Sequence, residues 1–190
     1  MSPDTRSTLI DVATSQVRRQ GYSAFSYADL AAAVGIRKPS IHHHFPTKED
    51  LGAAIVASYT EAFSEQLDRI DAKVGKAAER LRAYAGLYRE GLDHGQGCLC
   101  GVLASEVAVL PPQVQAGVRQ FFDLNLRWLE WTLRAGHGHG LRPDIDPRRE
   151  AKTVLATLQG ATFIALSLKD PAVFDQAVAG LLTRLSGPRR

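Results

Sequence analysis

Three groups of side chains in this 190-residue chain have types and spacings that could do chemistry. The first centres on Thr47-Lys48-Glu49-Asp50, where a hydroxyl and two acids read as the cap and first turn of a helix. The first N–H groups of a helix have no partner within it, and with the helix dipole they favour an anion, so Lys48 adds a point charge suited to a phosphate. Ser26 and Tyr27 open another helix in the same manner and are candidates for a second phosphate clamp. Between them, Arg37, Lys38, Ser40 and His43 lie at or along a very short helix and can reach base edges, Arg37 or Lys38 being suited to guanine O6 and N7. The second group is Cys98 and Cys100, which at i and i+2 make a poor disulfide and fit a reducing compartment. The third, His42-His43-His44, makes no metal site, because consecutive helical residues point about 100° apart. His137 and His139 fall in a glycine-rich break and read as loop residues.

The elements that must position these groups are all helical. Apolar residues recur with a period near 3.6 and no segment alternates as a strand does. A first helix from about Asp4 to Gln20 buries Leu9, Ile10, Ala13 and Val17 and stops at Gly21. Ser26 and Asp29 form a capping-box-like start for a short helix that ends at Gly35, and a very short helix follows over Lys38 to His44, with Pro39 in its first turn. Ile41 and Phe45 should face the core of this small domain. Phe45-Pro46 breaks the chain before a long helix with the stripe Leu51, Ala54, Ile55, Ala62, Phe63 and Leu67. Further helices are expected over about Gly75–His94, Cys98–Val109, Pro111–Ala135, Pro147–Leu168 and Pro171–Leu185. The expected fold is therefore all-α with about nine helices in two domains, 1–48 and 49–190. Six Lys/Arg against three acids in the first 48 residues account for the whole net charge of +3, so basic character is local to the first quarter of the chain. No basic-then-apolar leader and no apolar run of about 20 residues is seen, which favours a cytoplasmic protein with no membrane partner.

Helix, short helix, glycine turn and short helix within 45 residues is the geometry of a helix-turn-helix. The residues Gly21-Tyr22, Ser26-Tyr27-Ala28-Asp29-Leu30-Ala31 and Val34-Gly35-Ile36-Arg37-Lys38-Pro39-Ser40-Ile41-His42-His43-His44-Phe45-Pro46-Thr47-Lys48-Glu49-Asp50-Leu51 resemble the DNA-binding domain of the TetR family of transcriptional regulators. The resemblance implies a homodimer on double-stranded operator DNA, joined by its last two long helices, with a small-molecule effector in the C-terminal body. It also implies a backbone contact from His42, where the family usually has Tyr; His can still donate to phosphate. For the effector pocket, Tyr59, Phe63, Tyr84, Tyr88, Phe121, Phe122, Asn125 and Trp128 offer aromatic walls with a few polar tips. Cys98 joins this set, because Gly97-Cys98-Leu99 followed by Leu103-Ala104-Ser105-Glu106-Val107 resembles the segment of regulators in which a cysteine senses electrophiles or oxidants, and a helix start favours thiolate. The leading expectation is a repressor released by its effector. The readings from other classes are a helical enzyme, for which no nucleophile–base pair, metal-ligand spacing or phosphate-binding glycine loop is found, and a dimeric scaffold with a vestigial helix-turn-helix; no cofactor is expected.

Overall fold

A computed structural model describes residues 5–137 and 139–186. Among these residues the regular elements are α1 (Thr5–Gln20), α2 (Tyr27–Val34), α3 (Lys38–His44), α4 (Lys48–Lys73), α5 (Ala77–Asp93), α6 (Leu99–Ser105), a 3-10 turn (Val107–Val109), α7 (Pro112–Gly136), α8 (Pro147–Leu168) and α9 (Ala172–Leu185). Asp4, the expected start of the first helix, lies outside the described residues.

Local chemistry accounts for most boundaries. The α1–α2 turn opens at Gly21, whose φ of +87° suits only glycine without strain. Gly35 ends α2 at φ +75°, and its N–H and that of Ile36 both bond the Ala31 carbonyl, at 3.0 and 3.1 Å. Thr47 and Asp50 form a reciprocal capping box at α4: the Thr47 hydroxyl accepts from the Asp50 N–H at 3.1 Å, and the Asp50 carboxylate accepts from the Thr47 N–H at 3.0 Å. Asp146 caps α8 by accepting from the N–H groups of Arg148 and Arg149, with Pro147 in the first turn.

Three expectations are corrected. The helix expected over Cys98–Val109 is two pieces, because Pro111 drives Leu110 into extended backbone and the β-branched Val107 and Val109 give only a 3-10 turn. Ala62 is exposed, and the buried stripe of α4 runs through Leu51, Ile55, Val56, Phe63, Leu67 and Ile70. Finally, α8 is long and apolar enough to cross a membrane by length and composition alone. Its buried face, however, packs on α5 and α9 as a core face does.

The chain forms two compact units. One comprises the chain up to Ala62 with Leu99–Phe121, and the other Phe63–Cys98 with the chain from Phe122 onward. In the first, α1, α2 and α3 pack around Leu9, Ala13, Val17, Phe25, Leu30, Ile41 and Phe45, and α6 packs on α1. In the second, α5, α8 and α9 pack on one another around Leu81, Val154, Leu158, Phe174 and Leu181.

Candidate functional site

The basic and polar residues of α3 stand outside a helix that is fixed from within. Ile41 and Phe45 are buried, while Arg37, Lys38, Ser40, His42 and His43 are all exposed. Ser40 and His43, with Thr5, Ile36, Pro39 and His44, line an open cleft of about 500 Å³. Seven residues give α3 too few internal hydrogen bonds to hold a helix alone, so its packing must do so. The Tyr27 hydroxyl supplies part of that hold by donating to the Phe45 and Thr47 carbonyls at 2.9 and 2.5 Å. Its single proton is thereby engaged inside the fold, a different use from the phosphate clamp expected of it. Burial, helped by the charge of Asp50, pushes the Tyr27 phenol up to about 12.

His42 lies against Tyr27, with ring centroids 4.9 Å apart, and its Nδ1 is 3.1 Å from the Pro46 carbonyl. A carbonyl only accepts, so Nδ1 carries a proton, and Nε2 can donate to a phosphate only in the imidazolium form. Ser26 caps α2: its hydroxyl accepts from the Asp29 N–H at 3.3 Å and donates to the Asp29 carboxylate at 2.6 Å. The Lys48 ammonium lies 4.5 Å from the centre of the Tyr22 ring and 5.6 Å from that of Phe25. Burial lowers its pKa, the Glu106 carboxylate acting in the opposite direction. The Tyr22 hydroxyl donates to the Lys48 carbonyl at 3.1 Å, so the ring under the ammonium is itself fixed.

In the second unit, part of the expected aromatic set comes together. Tyr84 is fully buried and stacks on Trp128 at 5.2 Å, with Tyr88 and Phe63 edge-on at 5.5 and 6.1 Å. The Tyr84 hydroxyl donates to Asn125 Oδ1 at 2.7 Å and lies 3.2 Å from the Tyr88 hydroxyl. Burial moves the Tyr84 phenol well above its ordinary range, against the opposing hydrogen bond with Tyr88. Tyr59 and Phe121 pair with each other at 5.5 Å in the first unit, and Phe122 is half-buried. An apolar gap of about 10 Å³ between Leu81, Val154, Leu158 and Val178 is lined by none of the nine candidates.

Sequence reading missed three participants. Asp71 accepts from the Trp128 indole N–H at 3.0 Å and pairs with Arg80 at 3.5 Å, which ties α4, α5 and α7. Glu106 accepts from the Tyr22 and Ser23 N–H groups at 2.7 and 2.8 Å, across more than eighty residues of chain. No local pattern encodes either contact.

An exposed basic helix held by a packed three-helix head, joined to a larger helical body, defines a helix-turn-helix DNA-binding regulator. The profile described as "Bacterial regulatory proteins, tetR family" matches residues 9–55, and "Tetracyclin repressor-like, C-terminal domain" matches residues 77–181. The chain belongs to the TetR family of transcriptional regulators. Family membership brings operator DNA as a partner and a C-terminal domain for dimerisation and ligand, and it leaves no place for the enzyme reading. A TetR-family regulator from Agrobacterium tumefaciens superimposes with a TM-score of 0.92 at 33% identity, covering 96% of this chain and 97% of that one. The transcriptional regulator AcuR of Cereibacter sphaeroides is 29% identical over 81% of this chain and 73% of its own. The transcriptional repressor NemR of Escherichia coli is 23% identical over 97% and 96% of the two chains. Its reduced form has the same fold, with a TM-score of 0.85 at 22% identity over 98% of this chain and all of that one.

Proposed function

We propose that the protein is a cytoplasmic repressor that binds a pseudo-palindromic operator as a homodimer and is released by a small-molecule effector. The observation that carries this reading is α3, whose outward Arg37, Lys38, Ser40 and His43 have the chemistry of base readers while Ile41 and Phe45 anchor it from behind. In this reading Lys48 and His42 contact phosphates, while Ser26, whose hydroxyl proton goes to Asp29, and Tyr27, whose proton goes to backbone carbonyls, position the start of α2 and the α3–α4 turn. The head is residues 1–48 and the body residues 49–190. Dimerisation is assigned to the outer faces of α8 and α9, where Ala156, Gly160, Ile164 and Leu168 are exposed on one helix and Ala179 and Gly180 on the other. Ile164 and Leu168 are 52% and 63% exposed, four residues apart on one face, a stripe that a second chain would cover.

The effector site is assigned to the Tyr84, Tyr88, Asn125 and Trp128 cluster with Phe63 and Cys98. Thr132 Oγ1 and both amide atoms of Gln159, in the same unit, are buried without a hydrogen-bond partner among the described residues, and a ligand with polar groups would satisfy such atoms. Selecting fragments of genomic DNA with the purified protein, and sequencing those retained at moderate salt, tests the repressor reading. A pair of inverted half-sites about one or more helical turns apart is expected; no preference over random DNA would refute it.

A second reading of the switch is favoured by Cys98, a buried free cysteine in the same unit as the cluster: alkylation of this thiol by an electrophile, forming a thioether with loss of the thiol proton, would disturb the packing of that unit. A thiol-reactive electrophile should then release the wild-type and Cys100→Ser proteins from DNA and leave Cys98→Ser bound. Equal release of Cys98→Ser and wild type would make Cys98 a packing residue.

A further inference from the structure

The turn between α1 and α2 is built around a carboxylate that comes from the far side of the sequence. Glu106, between α6 and the 3-10 turn, accepts from the Tyr22 N–H at 2.7 Å and from the Ser23 N–H at 2.8 Å, and the Ser23 hydroxyl donates to the same carboxylate. Two successive N–H groups with a hydroxyl make a concave anion site. Gly21 completes it by what it lacks: a Cβ there would stand 2.3 Å from Glu106 Oε1, so any side chain would have to displace the carboxylate, and the φ of +87° already favours glycine. Against burial, which raises it, the Ser23 and Tyr22 bonds hold the Glu106 carboxyl below its ordinary value, and the charge of Lys48 adds a smaller share.

This turn feeds α2, where Ser26 and Tyr27 stand, and its Tyr22 ring lies under the Lys48 ammonium. We infer that Glu106 is a positioning residue for operator binding: its carboxylate fastens the α1–α2 turn and thereby sets Tyr22, Lys48 and the start of α2 in the arrangement that meets the phosphate backbone. Glu106 itself touches no nucleic acid in this account. With the tie removed, the turn samples other conformations, and DNA must restore the competent one at a cost to affinity. Bonds to a charged group lost at this site are of a size that gives about a tenfold or greater loss.

The inference rests on the DNA-binding reading, and the test separates the two. With an operator fragment retained by the wild-type protein, full-length Glu106→Ala, Glu106→Gln and Ser23→Ala are compared by fluorescence anisotropy, with thermal unfolding and amide hydrogen exchange measured on the same samples. Glu106→Ala should bind about tenfold or more weakly, with the Tyr22 and Ser23 amides exchanging faster while the chain remains folded and unfolds cooperatively. Ser23→Ala should give a smaller loss, and the double variant no more than Glu106→Ala alone, because both act through one contact. Glu106→Gln should fall between, having one acceptor oxygen left. Should Glu106→Ala not fold, Ser23→Ala and Glu106→Gln carry the test. Wild-type affinity in all the folded variants would overturn the tie while leaving the repressor reading intact. Tighter binding would overturn it too, since Glu106 would then be a competitor for Lys48. A wild-type protein that selects no operator would sink the underlying reading first.

Discussion

Gly160→Leu is the sharpest probe of the proposed dimer, because in the single chain this position is open. A Cβ built at Gly160 meets nothing within 4 Å, and the same holds for Gly180. In an isolated protomer the substitution should therefore be neutral or favourable, removing a helix-interior glycine being worth about 0.5–1 kcal/mol. That gain is common to free and paired chains and cancels from the dissociation constant. In a two-fold interface through α8 and α9, each copy would instead force a side chain into a close approach. Overpacking of this kind costs about 1–3 kcal/mol per site, and symmetry doubles it to about 2–6 kcal/mol, a dimer weaker by about 30-fold or more. Sedimentation equilibrium across a concentration series reads the dissociation constant, and thermal unfolding at low concentration checks that the protomer is not destabilised. An undiminished Gly160→Leu dimer, or a wild-type chain that stays monomeric, would refute the assignment of this face.

The remaining predictions concern the head. Lys48→Ala should weaken binding to all sequences about equally and reduce the slope of log affinity against log salt by about 1, whereas Arg37→Ala should relax preference at one base position by roughly 1–3 kcal/mol; anisotropy titrations against operator variants distinguish the two. His42→Ala should weaken binding to all operator variants about equally, as loss of a backbone contact would; unchanged affinity would remove His42 from the phosphate contacts. The Tyr27 phenol titrates higher in the folded protein than its ordinary 10.0, so its stabilising contribution is complete below pH 10.0 and lost as pH rises through about 12. Tyr27→Phe should accordingly be less stable at neutral pH and decline less steeply in alkali, measured by denaturant unfolding.

What the sequence made legible follows the range over which each feature is encoded. Ser26, Gly35, Pro39 and Thr47 act on backbone groups within a few residues, so α2, α3 and the start of α4 fall where local chemistry puts them, α3 spanning the predicted Lys38–His44. The buried positions Leu9, Ile10, Ala13 and Val17 are similarly fixed by the period of a single helix. The roles of polar tips were less legible, because a hydroxyl's partner depends on which strangers the fold brings near. The sequence offers Tyr27 as a phosphate donor, and does not show that its hydroxyl reaches carbonyls 18 and 20 residues away. Glu106 looked like one residue of a helical run; α6 stops one residue before it, and the carboxylate fills a turn 83 and 84 residues distant. Its trace in the sequence is Gly21, a helix stop and in addition the space into which the carboxylate fits. A glycine has two separable uses, conformation and clearance, and a sequence displays only the first. Gly21→Ala should therefore harm this protein more than φ strain alone explains. Part of that loss should vanish in the Glu106→Ala background, where the clearance is no longer needed; purely additive losses in operator affinity and unfolding would mean that conformation is the whole of its role.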